Sequence, residues 1–99
     1  MNQDYSVHII GDSMSPRFVD GEMVQFKTLK NENIIAGDIV LAYHPFIKKI
    51  KIVKRVKNIN PDGDFFLQGD NPVKSFSSDS RSFGYIKRKE IIAILKEKR

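Results

Sequence analysis

Ser13 is the residue of this chain best placed for covalent chemistry. It stands in Gly11-Asp12-Ser13-Met14-Ser15-Pro16, directly after the mainly apolar stretch 7–10. A glycine before it and a proline after it mark the end of a strand where the backbone turns, and such a turn can present a hydroxyl to a substrate. Serine is a weak nucleophile at its own pKa, so the motif acquires meaning only if a base stands elsewhere in the chain.

The histidines are His8 and His44. His8 is in phase with Ser6 and out of phase with Val7 and Ile9, the position of a half-exposed strand residue. His44 closes an apolar run and precedes Pro45, which reads as a loop entry or an edge position. A lysine is the better base. In the segment 48–57, Ile50, Ile52 and Val56 alternate with Lys49, Lys51, Arg55 and Lys57, and Lys54 falls on the apolar side. Three explanations of that lysine stand: a misread register, a side chain that snorkels out to water, or an ammonium held out of water. In the third case desolvation disfavours the charged form and makes a neutral, proton-accepting amine accessible.

The elements that must position these residues are mostly strands. Residues 5–10, 23–27, 38–44, 47–57, 65–68 and 91–96 are rich in β-branched or aromatic side chains and are separated by Gly, Pro, Asn and Asp. Asn60-Pro61-Asp62-Gly63 predicts a turn that folds the lysine strand back on residues 65–68 as a hairpin. Residues 31–36 fit a loop or one helical turn; residues 89–99 hold helix formers in Ala93, Leu95, Lys96 and Glu97, but Ile91, Ile92 and Ile94 suit a strand, and the expectation is a final strand with a charged tail.

With 99 residues, 40% of them hydrophobic, the chain makes one domain with one core, residues 1–99. No apolar run approaches the roughly 20 residues of a membrane span, and Met1-Asn2-Gln3-Asp4 lacks the basic-then-apolar order of a secretory leader, so the expectation is a soluble, cytoplasmic protein without an anchor. The absence of cysteine excludes disulfides and thiolate chemistry, and two separated histidines give a metal site no support. No cofactor is expected. The net charge of +5 gathers at residues 48–57 and 87–99. It fits an anionic partner, a nucleic acid or a lipid headgroup, and equally a solvated strand face that resists aggregation.

A further polar segment holds Gly69-Asp70-Asn71-Pro72 and Ser77-Ser78-Asp79-Ser80-Arg81-Ser82-Phe83-Gly84. Its Asp and Arg two residues apart suit a loop tied down by hydrogen bonds. Taken together, the segments resemble the serine peptidases that use a Ser/Lys dyad, the signal peptidase I and LexA-like group. Gly11 to Pro16 is similar to the Gly-x-Ser-Met-x-Pro nucleophile motif, and Gly37-Asp38-Ile39-Val40 to the strand after it. Val53-Lys54-Arg55-Val56 is similar to the strand bearing the base, and Gly69-Asp70-Asn71 with the Ser77 to Gly84 run to the closing motif.

The resemblance implies an all-β fold of coiled antiparallel strands with Ser13 as nucleophile, Lys54 as general base and Ser77 as a hydroxyl that orients Lys54. It further implies a supporting Asp79–Arg81 salt bridge, a supporting place for Asp70, and a substrate-binding rim at Gly11, Asp12, Met14 and Pro16. The Ser13 N–H would help to form the oxyanion hole. Where some signal peptidases add a serine hydroxyl two positions before the nucleophile, this chain has Gly11. The expected partner is a protein substrate bound as an extended strand. The short form resembles soluble maturation peptidases, such as those accompanying nickel-containing superoxide dismutase, in which the nickel belongs to the substrate. Two rival readings stand beside it. One is the catalytic piece of a membrane signal peptidase, for which membrane contact is an option. The other is a basic β-barrel that stacks nucleic acid on Phe26, Tyr43, Phe46, Phe65 and Phe66, although the peptidase reading expects no nucleic acid.

Overall fold

The apolar runs sort into strands of two kinds, and the difference dictates where each lies. In the computed structural model, which describes residues 4–73 and 79–96, the strands are β1 (Asp4–His8), β2 (Met23–Thr28), β3 (Ile39–Tyr43), β4 (Lys51–Ile59), β5 (Phe65–Gln68) and β6 (Ile91–Leu95). β3 and β6 are apolar at almost every position and are buried on both faces. They lie at the centre of an antiparallel sheet of order β1-β2-β6-β3-β4-β5. β2 alternates, burying Val24 and Phe26 while exposing Met23 and Gln25, as a strand with one wet face should.

Each face of the sheet carries its own core. Ile39, Leu41, Ala93 and Leu95 pack on one side with Val24 and Phe26, and with Met14 and Phe18 from the turn that holds Ser13. Val40, Ala42, Val56 and Ile94 pack on the other with Phe65, Leu67 and Ile86. A four-residue helix α1 (Ser80–Phe83) and a 3-10 turn at Arg88–Glu90 precede β6.

The expected hairpin joins β4 to β5. Asn60 Oδ1 accepts from the N–H groups of Asp62 (3.0 Å) and Asp64 (2.9 Å), and Gly63 takes the left-handed conformation, φ 83°, that its turn requires. The fourth strand departs from the expected 47–57. It begins at Lys51, because residues 44–50 form a loop in which His44 Nδ1 accepts from the N–H groups of Phe46 and Ile47, both at 3.1 Å. It ends at Ile59, after a register shift between Val56 and Asn58. His44 is thus the loop-entry residue that Pro45 suggested. The first strand ends at His8, two residues early, as the chain bends into the Ser13 turn. Residues 31–36 form a loop rather than a helical turn, with Ile34 sunk into the core.

Candidate active site

The Ser13 turn is held from three directions. Ser15 N–H donates to Asp12 O (3.0 Å) and Phe18 N–H to Met14 O (3.0 Å), closing the turn on itself. Gly11, at φ 87°, donates its N–H to Asp20 Oδ1 at 2.7 Å. The side chains of Met14 (2% exposed) and Phe18 (3%) anchor the turn in the core. Ser13 itself remains half-buried between these anchors.

Lys54 resolves the three explanations left open by its sequence. It pairs across the ladder with Val40 and lies in phase with Val56, both 0% exposed, so the register was read correctly. The lysine is only 4% exposed, so its ammonium does not snorkel out to bulk water but is held at the wall of the fold. Burial is the main influence on its titration and pushes it below the ordinary lysine value; Asp79 opposes the shift and Arg81 adds to it. Its neighbour Arg55 points the other way, where Nε and Nη2 grip Asp70 Oδ1 and Oδ2, each at 2.8 Å, and Nη1 donates to Gly37 O at 2.8 Å.

The polar segment closes the arrangement. Asp79 is 1% exposed and accepts from Gly69 N–H (2.8 Å), Arg81 N–H (3.1 Å), Arg81 Nε (3.0 Å) and Arg81 Nη2 (2.8 Å). Burial works against its charge, but these donors outweigh burial and hold the carboxyl below the usual carboxylate range. The same carboxylate caps α1, and Ser80 Oγ accepts from Leu67 N–H at 2.8 Å. Asn71 reaches the Ser13 turn, its N–H donating to Ser13 O (2.9 Å) and its Nδ2 to Asp12 O (2.8 Å).

Ser13 and Lys54 line one cleft of about 530 Å³, bounded by residues 5–14, Leu41 and residues 51–54. Gly11, Asp12 and the buried Met14 line it too. Pro16 lies instead on a second depression, with Arg55 and Asp70. Ser77 lies outside the described residues. His8 also lines the cleft, exposed on β1 as its phase predicted, whereas His44 stacks edge-on with Phe83 at 5.1 Å away from it. Among the described residues no group of three or more His, Cys, Asp or Glu side chains gathers as a cation site.

The Arg55–Asp70 pair and the Asn71 contacts are the features that residue-by-residue reading missed. The first left a trace. With Arg55 opposite Gln68 in the β4–β5 hairpin, Asp70 is two residues from its partner's position. Of the aromatics in the nucleic-acid reading, Phe26 (0% exposed) and Phe65 (4%) are core residues that offer no stacking face, whereas Tyr43 and Phe46 are exposed.

The described residues thus form a single antiparallel sheet with a serine turn and a buried lysine on one cleft. Over residues 1–94 the sequence matches the family described as Peptidase S24-like, and the chain belongs to that family. No curated protein matches it. Membership supports a serine-peptidase type of function on an all-β fold. Among the described residues no helix is long and apolar enough to cross a membrane.

Proposed function

We propose that the chain is a serine endopeptidase in which Ser13 and Lys54 form the catalytic dyad. The observation that carries the reading is a lysine 4% exposed, its proton affinity reduced by burial, on the same cleft as a serine in a braced turn. Neutral Lys54 Nζ accepts the Ser13 Oγ proton as Oγ bonds to the substrate's carbonyl carbon, and the carbonyl oxygen takes up the negative charge. Collapse of that intermediate breaks the C–N bond, and Lys54 returns the proton to the leaving amine. Water then attacks the Ser13 ester as Lys54 accepts its proton, and the bond from the acyl carbon to Oγ breaks as Lys54 returns that proton to Oγ, releasing the acid. Asp79, Arg81 and Asp70 support this centre by holding the segment behind it.

The edge strand β1 borders the cleft, so an extended substrate adds to it as a further strand. Following the resemblance, the residue before the scissile bond has a small side chain and the product loses an N-terminal leader. A superoxide dismutase precursor is the narrowest substrate this suggests. Incubation with such a precursor followed by N-terminal sequencing tests that step by itself; an unshifted terminus removes the precursor and leaves the chemistry to the next experiment.

A fluorophosphonate probe should label the parent protein on Ser13, located by peptide mass spectrometry. Ser13→Ala should lose both label and cleavage while its stability changes by no more than about 1 kcal/mol, since one hydroxyl is removed without a cavity. Cleavage at the parental rate in Ser13→Ala would end the dyad reading.

A further inference from the structure

Resting on the dyad reading, we propose that Asn71 is a positioning residue that sets the oxyanion hole by fixing the plane of the Asp12–Ser13 peptide. The argument begins with one carbonyl. Asp12 O accepts two hydrogen bonds, from Ser15 N–H at 3.0 Å and from Asn71 Nδ2 at 2.8 Å, the second from a residue 59 positions away. In a trans peptide the C=O and N–H of one unit point in opposite directions. The N–H that shares this unit is that of Ser13, so the pull of Asn71 on the carbonyl aims the Ser13 N–H away from Asn71. Among the described residues no hydrogen bond takes up that N–H. Asp12 and Ser13 line the cleft and Asn71 does not, which directs the donor to the side where the substrate's carbonyl oxygen becomes negative.

Asn71 is itself immobilised. Its own N–H donates to Ser13 O at 2.9 Å, and its Oδ1 accepts from Val73 N–H at 2.8 Å. The preceding Asp70 is clamped by Arg55, the residue after the base. Two adjacent residues therefore connect the strand that carries Lys54 to the peptide that carries the oxyanion donor, Asp70 through Arg55 and Asn71 through Asp12 O. One segment, Gly69-Asp70-Asn71, sets the position of both.

The test compares Asn71→Asp and Asn71→Ala with the parent and Ser13→Ala on any peptide that the parent cleaves. Asn71→Asp keeps the oxygen that accepts from Val73 N–H, and so the local turn, but it replaces the donor to Asp12 O with a second acceptor. In both variants kcat should fall about 10²- to 10³-fold with KM unchanged, the scale of losing one oxyanion donor. Affinity for a peptide aldehyde of the same sequence, whose serine adduct carries the oxyanion, should fall by a matching factor. Thermal unfolding of Asn71→Asp should match the parent. Parental kcat in Asn71→Asp alongside an inactive Ser13→Ala overturns the positioning role and leaves the dyad intact. A lowered melting temperature with unchanged aldehyde affinity overturns it too, by reducing Asn71 to a structural contact. Activity in Ser13→Ala removes the dyad and the oxyanion hole together.

Discussion

Lys54→Met should abolish peptide cleavage and leave a protein at least as stable as the parent. Loss of a general base costs about 10²- to 10⁴-fold in rate. Lys54→Arg should be equally inactive, because a guanidinium keeps its proton. An unperturbed lysine, pKa about 10.4, is neutral in fewer than about one molecule in a thousand at pH 7. Burial lowers this threshold, so kcat/KM should rise with pH along one ionisation below the usual lysine range. Asp79 favours the charged lysine, and Asp79→Asn should therefore move that profile to lower pH. The stability effect has a definite sign. A lysine whose folded pKa is depressed binds fewer protons than in the unfolded chain, so its penalty is fully present below the folded pKa and fades as pH rises to about 10.4. The gain in Lys54→Met should follow the same course, largest below the folded pKa and vanishing in strong alkali. A profile governed by a group near pH 6.5, with activity surviving in Lys54→Met and lost in His8→Ala, would transfer the base to the histidine on the cleft.

Asp79→Ala should be the most destabilising single change at the site. It removes an acceptor used by four donor atoms, uncaps α1, orphans the Gly69 N–H and leaves the Arg81 guanidinium, 22% exposed, without its partner. Breaking a buried pair from one side costs about 3 to 5 kcal/mol, or at least about 10 °C in melting temperature for a domain of this size. Arg81→Ala should cost less, since Asp79 retains the two backbone donors. Because the Asp79 carboxyl is held below its ordinary range, its contribution is complete above about pH 4 and is lost as pH falls through the folded value. Equal melting of Asp79→Ala and parent at pH 7 would show that the pair contributes nothing. So would acid unfolding curves that coincide.

What could be read in advance was whatever has a local period or a local turn. Lys54 betrayed its place on the apolar face because Ile52 and Val56 flank it at strand spacing, but whether its amine was buried or reached out to water was decided only by the packing of Val40 opposite it. Asn60 and Gly63 announced the hairpin. The sheet order was not legible, since insertion of β6 between β2 and β3 is a pairing of distant segments with no local signal. α1, with four residues, is too short for a 3.6-residue period to register, and its existence depends on the Asp79 cap. The contact of Asn71 with Asp12 O joins the two ends of the site and could be found only once the chain was folded.

Lys54 and Arg55 occupy adjacent positions yet serve opposite sides of one strand, the first sealed against Val40 and Val56, the second clamped to Asp70. Their separation depends on nothing but the two-residue pleat. Deleting or inserting one residue between Lys51 and Val53 would exchange the pair, driving a guanidinium that cannot deprotonate into the core and leaving the amine in water. The 44–50 loop, closed by a bond from His44 N–H to Ile50 O at 2.8 Å, lies outside that pleat. Length variation in this region should therefore be confined to the loop, and the strand that follows should tolerate changes of side chain far better than changes of residue number.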